Sequence, residues 1–195
     1  CFYEQFRFVR TTRKHDRDCK YYNCGKIFCC FHREILSSES NLIEIPAMKI
    51  TLFLLGKTTS SEIRSICDDY RKRINHYMKM EEVVLDNSSV KATEIQKIKE
   101  KEGELLLNKI VPTDFVVLLD DKGKEFTSIQ FAQYLESSFN QSIKNICFVV
   151  GGAYGFSDTV YKRANAKLSL SKMTFSHQII RAIFYEQLYR AFTII

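Results

Sequence analysis

The sequence lacks tryptophan, contains only two prolines and seven glycines, and has no apolar run longer than five residues. A membrane-spanning helix needs about 20 mostly apolar residues in succession, so the pattern excludes one. The low glycine and proline content, with 45% hydrophobic and 27% charged residues, also excludes collagen-like and disordered chains. The 195 residues instead suit one globular domain with a substantial core, with or without an appendage.

Cysteines are scarce over most of the chain. Five of the seven lie in the first 30 residues, and only Cys67 and Cys147 lie beyond them. This distribution predicts a reduced, cytoplasmic domain rather than a disulfide-stabilised secreted one. The formal charge of +6 favours polyanionic partners weakly, because many ordinary domains carry a similar surplus.

The composition changes at Met48, the first methionine. Residues 1–47 have no regular apolar period, whereas a buried-strand pattern that ends at a turn glycine starts at Met48. We therefore expect Met48 to be the natural start and residues 1–47 to be an extension, disordered or artefactual, outside the fold. A zinc site there is a weaker alternative, because the four-residue gaps between Cys19, Cys24 and Cys29 miss the Cys-x2-Cys spacing of structural sites.

After Met48, short apolar strand patterns alternate with helical patterns. The predicted strands span 49–55, 81–85, 114–120, 145–150 and 166–170, and the predicted helices span 60–78, 91–109, 127–139, 157–164 and 177–193. Strands separated by helices imply right-handed crossovers and a parallel sheet covered on both faces. The sequence thus predicts an α/β fold, a mostly parallel sheet flanked by helices, over residues 48–195.

Three of the six glycines after Met48 follow one predicted strand, at positions 151, 152 and 155. Ligands of open parallel sheets bind beyond the carboxyl ends of the strands, and glycines let a ligand approach the backbone closely. A tight strand-to-helix turn is the alternative interpretation. The spacing matches neither Gly-x-Gly-x-x-Gly nor a P-loop, so neither phosphate-binding motif is supported.

A second polar loop follows the last predicted strand, over residues 168–177. Its backbone groups are able to hold an adenine edge, with Leu170, Met173 and Phe175 as an apolar sleeve. The alternative is a plain connector in which Ser176 caps the last helix and Met173 and Phe175 belong to the core.

The last predicted helix combines an apolar face with a basic and aromatic face. The second face holds Arg181, Tyr185, Glu186, Tyr189 and Arg190, residue types that suit contacts with phosphates and bases. A solvated amphipathic helix or a dimer face explains the spacing at least as well. His177, at the start of this helix, is by residue type more often a capping or packed histidine than a catalyst.

Six blocks in order after Met48 form a specific pattern. They are Lys-Ile-Thr-Leu at 49–52, Lys-Glu-Lys-Glu-Gly-Glu at 99–104, Leu-Asp-Asp-Lys-Gly-Lys at 119–124, Val-Gly-Gly-Ala-Tyr-Gly at 150–155, Leu-Ser-Leu-Ser-Lys-Met-Thr-Phe-Ser-His at 168–177 and Glu-Gln-Leu-Tyr-Arg-Ala-Phe at 186–192. Together they resemble the RlmH family, the SPOUT-class methyltransferases that modify N3 of a pseudouridine in 23S ribosomal RNA. The resemblance covers Met48 to Ile195 and nothing in residues 1–47.

The resemblance implies a SPOUT-type fold with a C-terminal trefoil knot and S-adenosylmethionine as the cofactor. Carried over by position, the cofactor pocket consists of Leu119, Gly151, Leu170, Ser171, Lys172, Met173, Thr174 and Phe175. No metal is implied, since methyl transfer from a sulfonium needs in-line positioning and loss of the N3 proton. Candidates for catalytic contacts, on residue type, are His177, Arg181, Glu186, Tyr189 and Arg190, of which the arginines better suit phosphates or bases.

The resemblance also implies a homodimer that acts in the cytoplasm on 23S ribosomal RNA within the 70S ribosome, with no membrane partner. The family continues with a short tail rich in Asn, His and Tyr, and we expect weak activity where that tail is absent after Ile195. Two alternatives stay open. One is an α/β protein that binds a different nucleotide ligand, and the other is a non-catalytic module that binds RNA or ribosomes.

Overall fold

A computed structural model describes residues 48–86, 94–141 and 143–195. In this part of the chain five strands alternate with five helices. The strands are β1 (Lys49–Leu55), β2 (Met80–Leu85), β3 (Phe115–Glu125), β4 (Asn145–Val150) and β5 (Ala166–Ser169), and the helices are α1 (Ser61–Ile74), α2 (Ile95–Leu107), α3 (Ser128–Phe139), α4 (Asp158–Arg163) and α5 (Ile179–Ile194). The predicted extension 1–47 and the zinc alternative within it lie outside the described residues.

The strands form one parallel sheet in the order β2-β1-β4-β3-β5. This arrangement confirms the predicted α/β class with a mostly parallel sheet. Because the strands are parallel, the loops that follow them all leave from one edge of the sheet. That edge is where ligands of open parallel sheets bind.

Alternate residues of the central strands face two separate apolar cores. Leu52 and Phe148 face one core, which includes residues of α1, α3 and α5. Phe53 and Val149 face the other, which includes residues of α2 and α4. Burial on both faces explains why these strands read as continuous apolar runs rather than alternating ones.

Helix α1 ends earlier than its predicted bound of 78 because Asn75 diverts the chain into β2. The Asn75 Nδ2 donates to the carbonyl of Arg71 at 2.9 Å, and its Oδ1 accepts from the Met80 backbone N–H at 2.9 Å. The start of α1 lies close to prediction, since the Ser60 side chain accepts from the Ile63 backbone N–H at 3.2 Å, a typical N-cap contact.

Strand β3 extends beyond its predicted end at 120 because it meets β5 twice. Leu119 and Lys124 both pair with Leu168, with a register shift between them. Within the shift, a Cβ added to Gly123 would lie 2.6 Å from the carbonyl carbon of Leu168 and 2.7 Å from that of Lys167. The two chain segments therefore cross at a distance that admits glycine alone. The trefoil knot implied by the resemblance stays a prediction.

We expect the substitution Gly123→Ala to lower the free energy of unfolding by about 2–3 kcal/mol, because overpacking against backbone atoms cannot be relieved by a side-chain rotation. Urea unfolding of the full chain measures this loss. Gly155→Ala is the matched control: Gly155 has φ +79° and open space around an added Cβ, so its cost is that of the left-handed backbone, about 1 kcal/mol. A smaller loss for Gly123→Ala than for the control would contradict the crossing.

The two cysteines after Met48 lie one in each apolar core. Because both thiols are buried, the free energy of unfolding depends on pH in the alkaline range. Burial raises the pKa of Cys147 to about 12, with a contribution from Asp114, and burial with the nearby Glu82 raises the pKa of Cys67 to about 11. Above the ordinary thiol pKa of 9.0, the unfolded chain releases protons that the folded chain retains, so stability falls as pH rises.

We expect the free energy of unfolding to fall between pH 9 and 11 by about 1.4 kcal/mol per thiol per pH unit from these two groups. Urea unfolding at pH 8, 9 and 10 measures the slope. A variant with both Cys67→Ala and Cys147→Ala should show a shallower slope, which separates the thiols from lysines and tyrosines. An unchanged slope in that variant would refute the assignment.

Candidate functional site

A cavity of about 500 Å³ opens at the carboxyl ends of β3, β4 and β5. We call it the first cavity. Its walls are residues 119–122 of the β3 register shift, the glycine loop 150–156 and the loop after β5, and Lys99, Tyr161 and Ile180 complete them. Of the eight predicted cofactor residues, seven line it: Leu119, Gly151, Leu170, Ser171, Met173, Thr174 and Phe175. The structure thus brings together positions that are up to 56 residues apart in the sequence.

At two of the three glycines after β4, an added Cβ would be crowded by neighbouring side chains, whereas the third has a left-handed backbone. A Cβ on Gly151 would lie 3.1 Å from the Phe156 ring, and one on Gly152 would lie 2.6 Å from a carboxylate oxygen of Glu102. Gly155 has φ +79°, and its N–H donates to the carbonyl of Gly152 at 3.2 Å. The loop therefore presents bare backbone to the first cavity while its other side packs tightly.

The loop after β5 leaves its apolar side chains exposed at the cavity. Met173 is 73% exposed and Phe175 is 37% exposed, so the alternative that places them in the core is wrong. The loop is held by Ser171, whose carbonyl accepts from the Ser169 hydroxyl at 2.9 Å and whose Oγ accepts from the Met173 N–H at 2.9 Å. Lys172, the eighth predicted cofactor residue, does not line the cavity, and its Nζ lies 3.9 Å from Glu125.

Two polar residues of the first cavity were not singled out from the sequence. The Tyr161 hydroxyl donates to the Asp120 carboxylate, and burial together with that bond raises the pKa of Tyr161. Asp120 belongs to the block 119–124, which was a signal that it lies near the pocket. Tyr161, 41 positions later, carried no such signal because only the fold brings it to this wall.

Helix α5 does not present the predicted basic and aromatic face. Arg181 is completely buried, and its guanidinium donates to the carbonyl of Leu55 at 2.9 Å and to Thr58 Oγ1 at 2.7 Å. Tyr185 is also completely buried and donates to Glu82. The prediction that Arg181 and Tyr185 lie on an exposed face is wrong, because α5 packs against both α1 and α3.

The other three predicted catalytic candidates on α5 lie away from the first cavity. The Arg190 guanidinium donates to the Glu186 carboxylate. The centroid of the Tyr189 ring lies 5.7 Å from that of the Tyr70 ring and 5.8 Å from the Arg73 guanidinium. None of Glu186, Tyr189 and Arg190 lines the cavity, so a catalytic role for them stays a prediction without support from this geometry.

His177 lies where the first cavity meets a second one, of about 560 Å³. The second cavity opens at the ends of β1 and β4 and is lined by residues 55–57 and 59, Asp86, Ile98, Glu102, residues 152–154, His177 and Gln178. Gln178 closes one side, because its Oε1 accepts from the Thr59 N–H at 2.9 Å and its Nε2 donates to the Lys57 carbonyl at 3.2 Å. His177 is thus the one predicted catalytic candidate that the structure places at the cavities.

Within residues 48–86, 94–141 and 143–195, no group of three or more His, Cys, Asp and Glu side chains is arranged to hold a metal ion. The helices of the same residues are too short or too polar to cross a membrane.

Comparison with known proteins gives matches over the whole described domain. Residues 48–195 match the family model described as a predicted SPOUT methyltransferase. Three curated relatives carry the name ribosomal RNA large subunit methyltransferase H: those of Flavobacterium psychrophilum, Parabacteroides distasonis and Flavobacterium johnsoniae are 50%, 53% and 48% identical over 149 residues. Each alignment covers 76% of this chain and 95% of the relative.

Proposed function

The chain belongs to the SPOUT methyltransferase family, and from this premise we propose that it transfers a methyl group from S-adenosylmethionine to N3 of a pseudouridine in 23S ribosomal RNA. The family match spans residues 48–195, which include all ten elements of the described domain. The name of the relatives, ribosomal RNA large subunit methyltransferase H, supports the large-subunit RNA as the substrate.

The first cavity carries this proposal. Its volume of about 500 Å³ lies in the range of small-ligand sites, about 300–1,000 Å³. Leu119, Leu170 and Phe175 offer apolar surface to a planar ring, and Gly151 has no side chain to obstruct it. Asp120, Asp121, Lys99 and Lys122 supply partners of both signs. These residues fit a ligand with an aromatic ring, an ammonium group and a carboxylate.

S-adenosylmethionine, when bound, supplies an electrophilic methyl group. The protein must then hold the acceptor nitrogen in line with that group and take up the proton that the nitrogen loses. His177 lines both cavities, which supports the proposal that it contacts the target base. Arg181 instead fixes the start of α5 to the β1 loop through Leu55 and Thr58.

We extend the proposal to a homodimer that acts in the cytoplasm on the assembled 70S ribosome. The formal charge of +6 supports a polyanionic partner, because each contact between a basic side chain and a phosphate releases counterions. This part of the proposal predicts that transfer to ribosomes weakens as salt is raised.

The proposal is tested with purified full chain, labelled S-adenosylmethionine and 70S ribosomes that lack the modification. We expect one labelled methyl group per ribosome, located at N3 of a pseudouridine by nucleoside mass spectrometry. Ribosomes in which the target uridine has not been isomerised serve as the matched control and should accept much less label. Separated 50S subunits test the requirement for the assembled particle.

Two outcomes would replace the proposal. Binding of S-adenosylmethionine without transfer to any ribosomal substrate would indicate a non-catalytic RNA- or ribosome-binding module. No binding of S-adenosylmethionine by calorimetry would indicate an α/β protein with a different nucleotide ligand.

A further inference from the structure

The second cavity has no role in the holding of the methyl donor described above. We propose that it receives the target base and that the Glu102 carboxylate accepts the proton of the base's N3–H. This inference rests on the proposed methyl transfer to a pseudouridine. It adds to that proposal the place of the base and the proton acceptor.

The two cavities share one wall. Both are lined by the same four residues, Gly152, Ala153, Tyr154 and His177. A ligand in one cavity therefore lies beside a ligand in the other. The first cavity opens at β3, β4 and β5, and the second at β1 and β4. Methyl transfer needs its two reactants held side by side, so adjacent cavities with a common wall suit it.

The lining of the second cavity suits a flat polar ring. Its volume of about 560 Å³ exceeds what one pyrimidine nucleoside needs, which leaves room for the flanking backbone. Tyr154 is half exposed at the shared wall and offers an aromatic face for stacking. Lys57 lies at the rim with its Nζ 3.2 Å from Asp86, where a cation is able to meet a phosphate.

Glu102 is the buried carboxylate of this cavity. It is 3% exposed and comes from α2, in the block 99–104. A Cβ on Gly152 would lie 2.6 and 2.9 Å from its two oxygens, so the carboxylate lies directly against the wall that the cavities share. An ionised carboxylate only accepts hydrogen bonds, which matches an imide N–H that must give up its proton.

The other acidic residues are less well placed for this role. Asp86 lines the cavity but is about half exposed. Glu186 lines neither cavity. Asp120 lines the first cavity and not the second. His177 is the competing acceptor, because it lines both cavities.

The step balances without a further reactant. The N3–H bond breaks, and its proton passes to a Glu102 oxygen. The electron pair left on N3 forms the bond to the methyl carbon while the carbon–sulfur bond breaks, and the pair of that bond stays on sulfur, which becomes a neutral thioether. The protonated Glu102 returns its proton to water before the next turnover.

Glu102→Gln tests the proton acceptor because it keeps the shape of the side chain and removes its basicity. We expect kcat on 70S ribosomes to fall at least 100-fold, while KM for ribosomes and the Kd of S-adenosylmethionine stay within about threefold. Glu104→Gln, the same change at an exposed site of the same helix, is the matched control and should keep wild-type kcat.

The pH dependence separates a proton acceptor from a structural role. Without an acceptor, reaction depends on the fraction of base already ionised, so kcat of Glu102→Gln should rise about tenfold per pH unit. The wild-type kcat should change much less over the same range. A Glu102→Gln deficit that stays constant with pH, or a kcat within about threefold of wild type, would overturn the assignment to Glu102. If kcat of His177→Asn, rather than that of Glu102→Gln, is reduced and rises about tenfold per pH unit, the proton acceptor is His177.

Binding tests the place of the base without any turnover. Pseudouridine 5′-monophosphate, added to wild-type protein saturated with S-adenosylhomocysteine, should shift the amide NMR signals of Gly56, Ile98 and Gln178, which line the second cavity and not the first. Thr59→Trp, which fills the cavity from a residue outside the first one, should abolish these shifts and leave cofactor affinity unchanged. Shifts confined to residues elsewhere would overturn the inference. Wild-type transfer to ribosomes would still uphold the proposed function, so the two failures are distinguishable.

Discussion

Replacing Arg181 with methionine is expected to lower the free energy of unfolding by about 3–5 kcal/mol, the usual cost of removing one partner from a buried charged network. The guanidinium is completely buried and donates to the Leu55 carbonyl and to Thr58 Oγ1. Methionine fills part of the volume but leaves both acceptors and the nearby Glu82 without this donor and cation. Urea unfolding measures the loss.

Arg190→Met is the matched control for this prediction, because it makes the same change on the same helix at an exposed site. Arg190 pairs with Glu186 one turn away, and such surface pairs contribute only about 0.3–0.5 kcal/mol. The two variants therefore differ in burial and not in chemistry. Equal losses in the two, or a loss below about 1 kcal/mol for Arg181→Met, would contradict the structural role of Arg181.

Strands buried on both faces can be predicted from this sequence almost to the residue. The predicted bounds 49–55 and 145–150 coincide with β1 and β4, because a central parallel strand is apolar throughout and ends where polar or glycine residues begin. The end of β3 could not be predicted. Its return to β5 after the register shift at 119–124 depends on a pairing with a segment more than 40 positions away.

The faces of α5 show where helical spacing alone misleads. Arg181 and Tyr185 are polar residue types at positions expected to be solvated, yet both are completely buried. Their partners, the Leu55 carbonyl and Glu82, come from β1 and β2. A periodic pattern states which residues share a face, but it does not state which neighbouring elements cover that face.

The loops around the first cavity were predictable in position, and the second cavity was not. Glycines after a buried strand and a polar loop after the last strand are local signals, and both loops lie at the cavity. The second cavity combines Lys57, Glu102, Gly152 and Gln178 from four separate segments. Its buried carboxylate lies in the block 99–104, which the sequence marked as a family feature, but only the fold shows that Glu102 is buried against Gly152.

The substitution Gly152→Ala is expected to reduce the affinity for S-adenosylmethionine at least tenfold and turnover on ribosomes at least 100-fold. The added Cβ would lie 2.6 Å from a Glu102 oxygen. Because Glu102 is only 3% exposed, its carboxylate has no open solvent to move into, so the loop that lines the first cavity must take up part of the displacement. A displacement of about 1 Å in a reacting group costs roughly 100-fold in rate. Calorimetry and ribosome methylation measure the two effects. Glu102→Asp in the same chain shortens the opposing side chain and should restore much of the cofactor affinity, since contacting residues are coupled. Wild-type affinity in Gly152→Ala, or no recovery in the double variant, would show that this contact does not shape the shared wall.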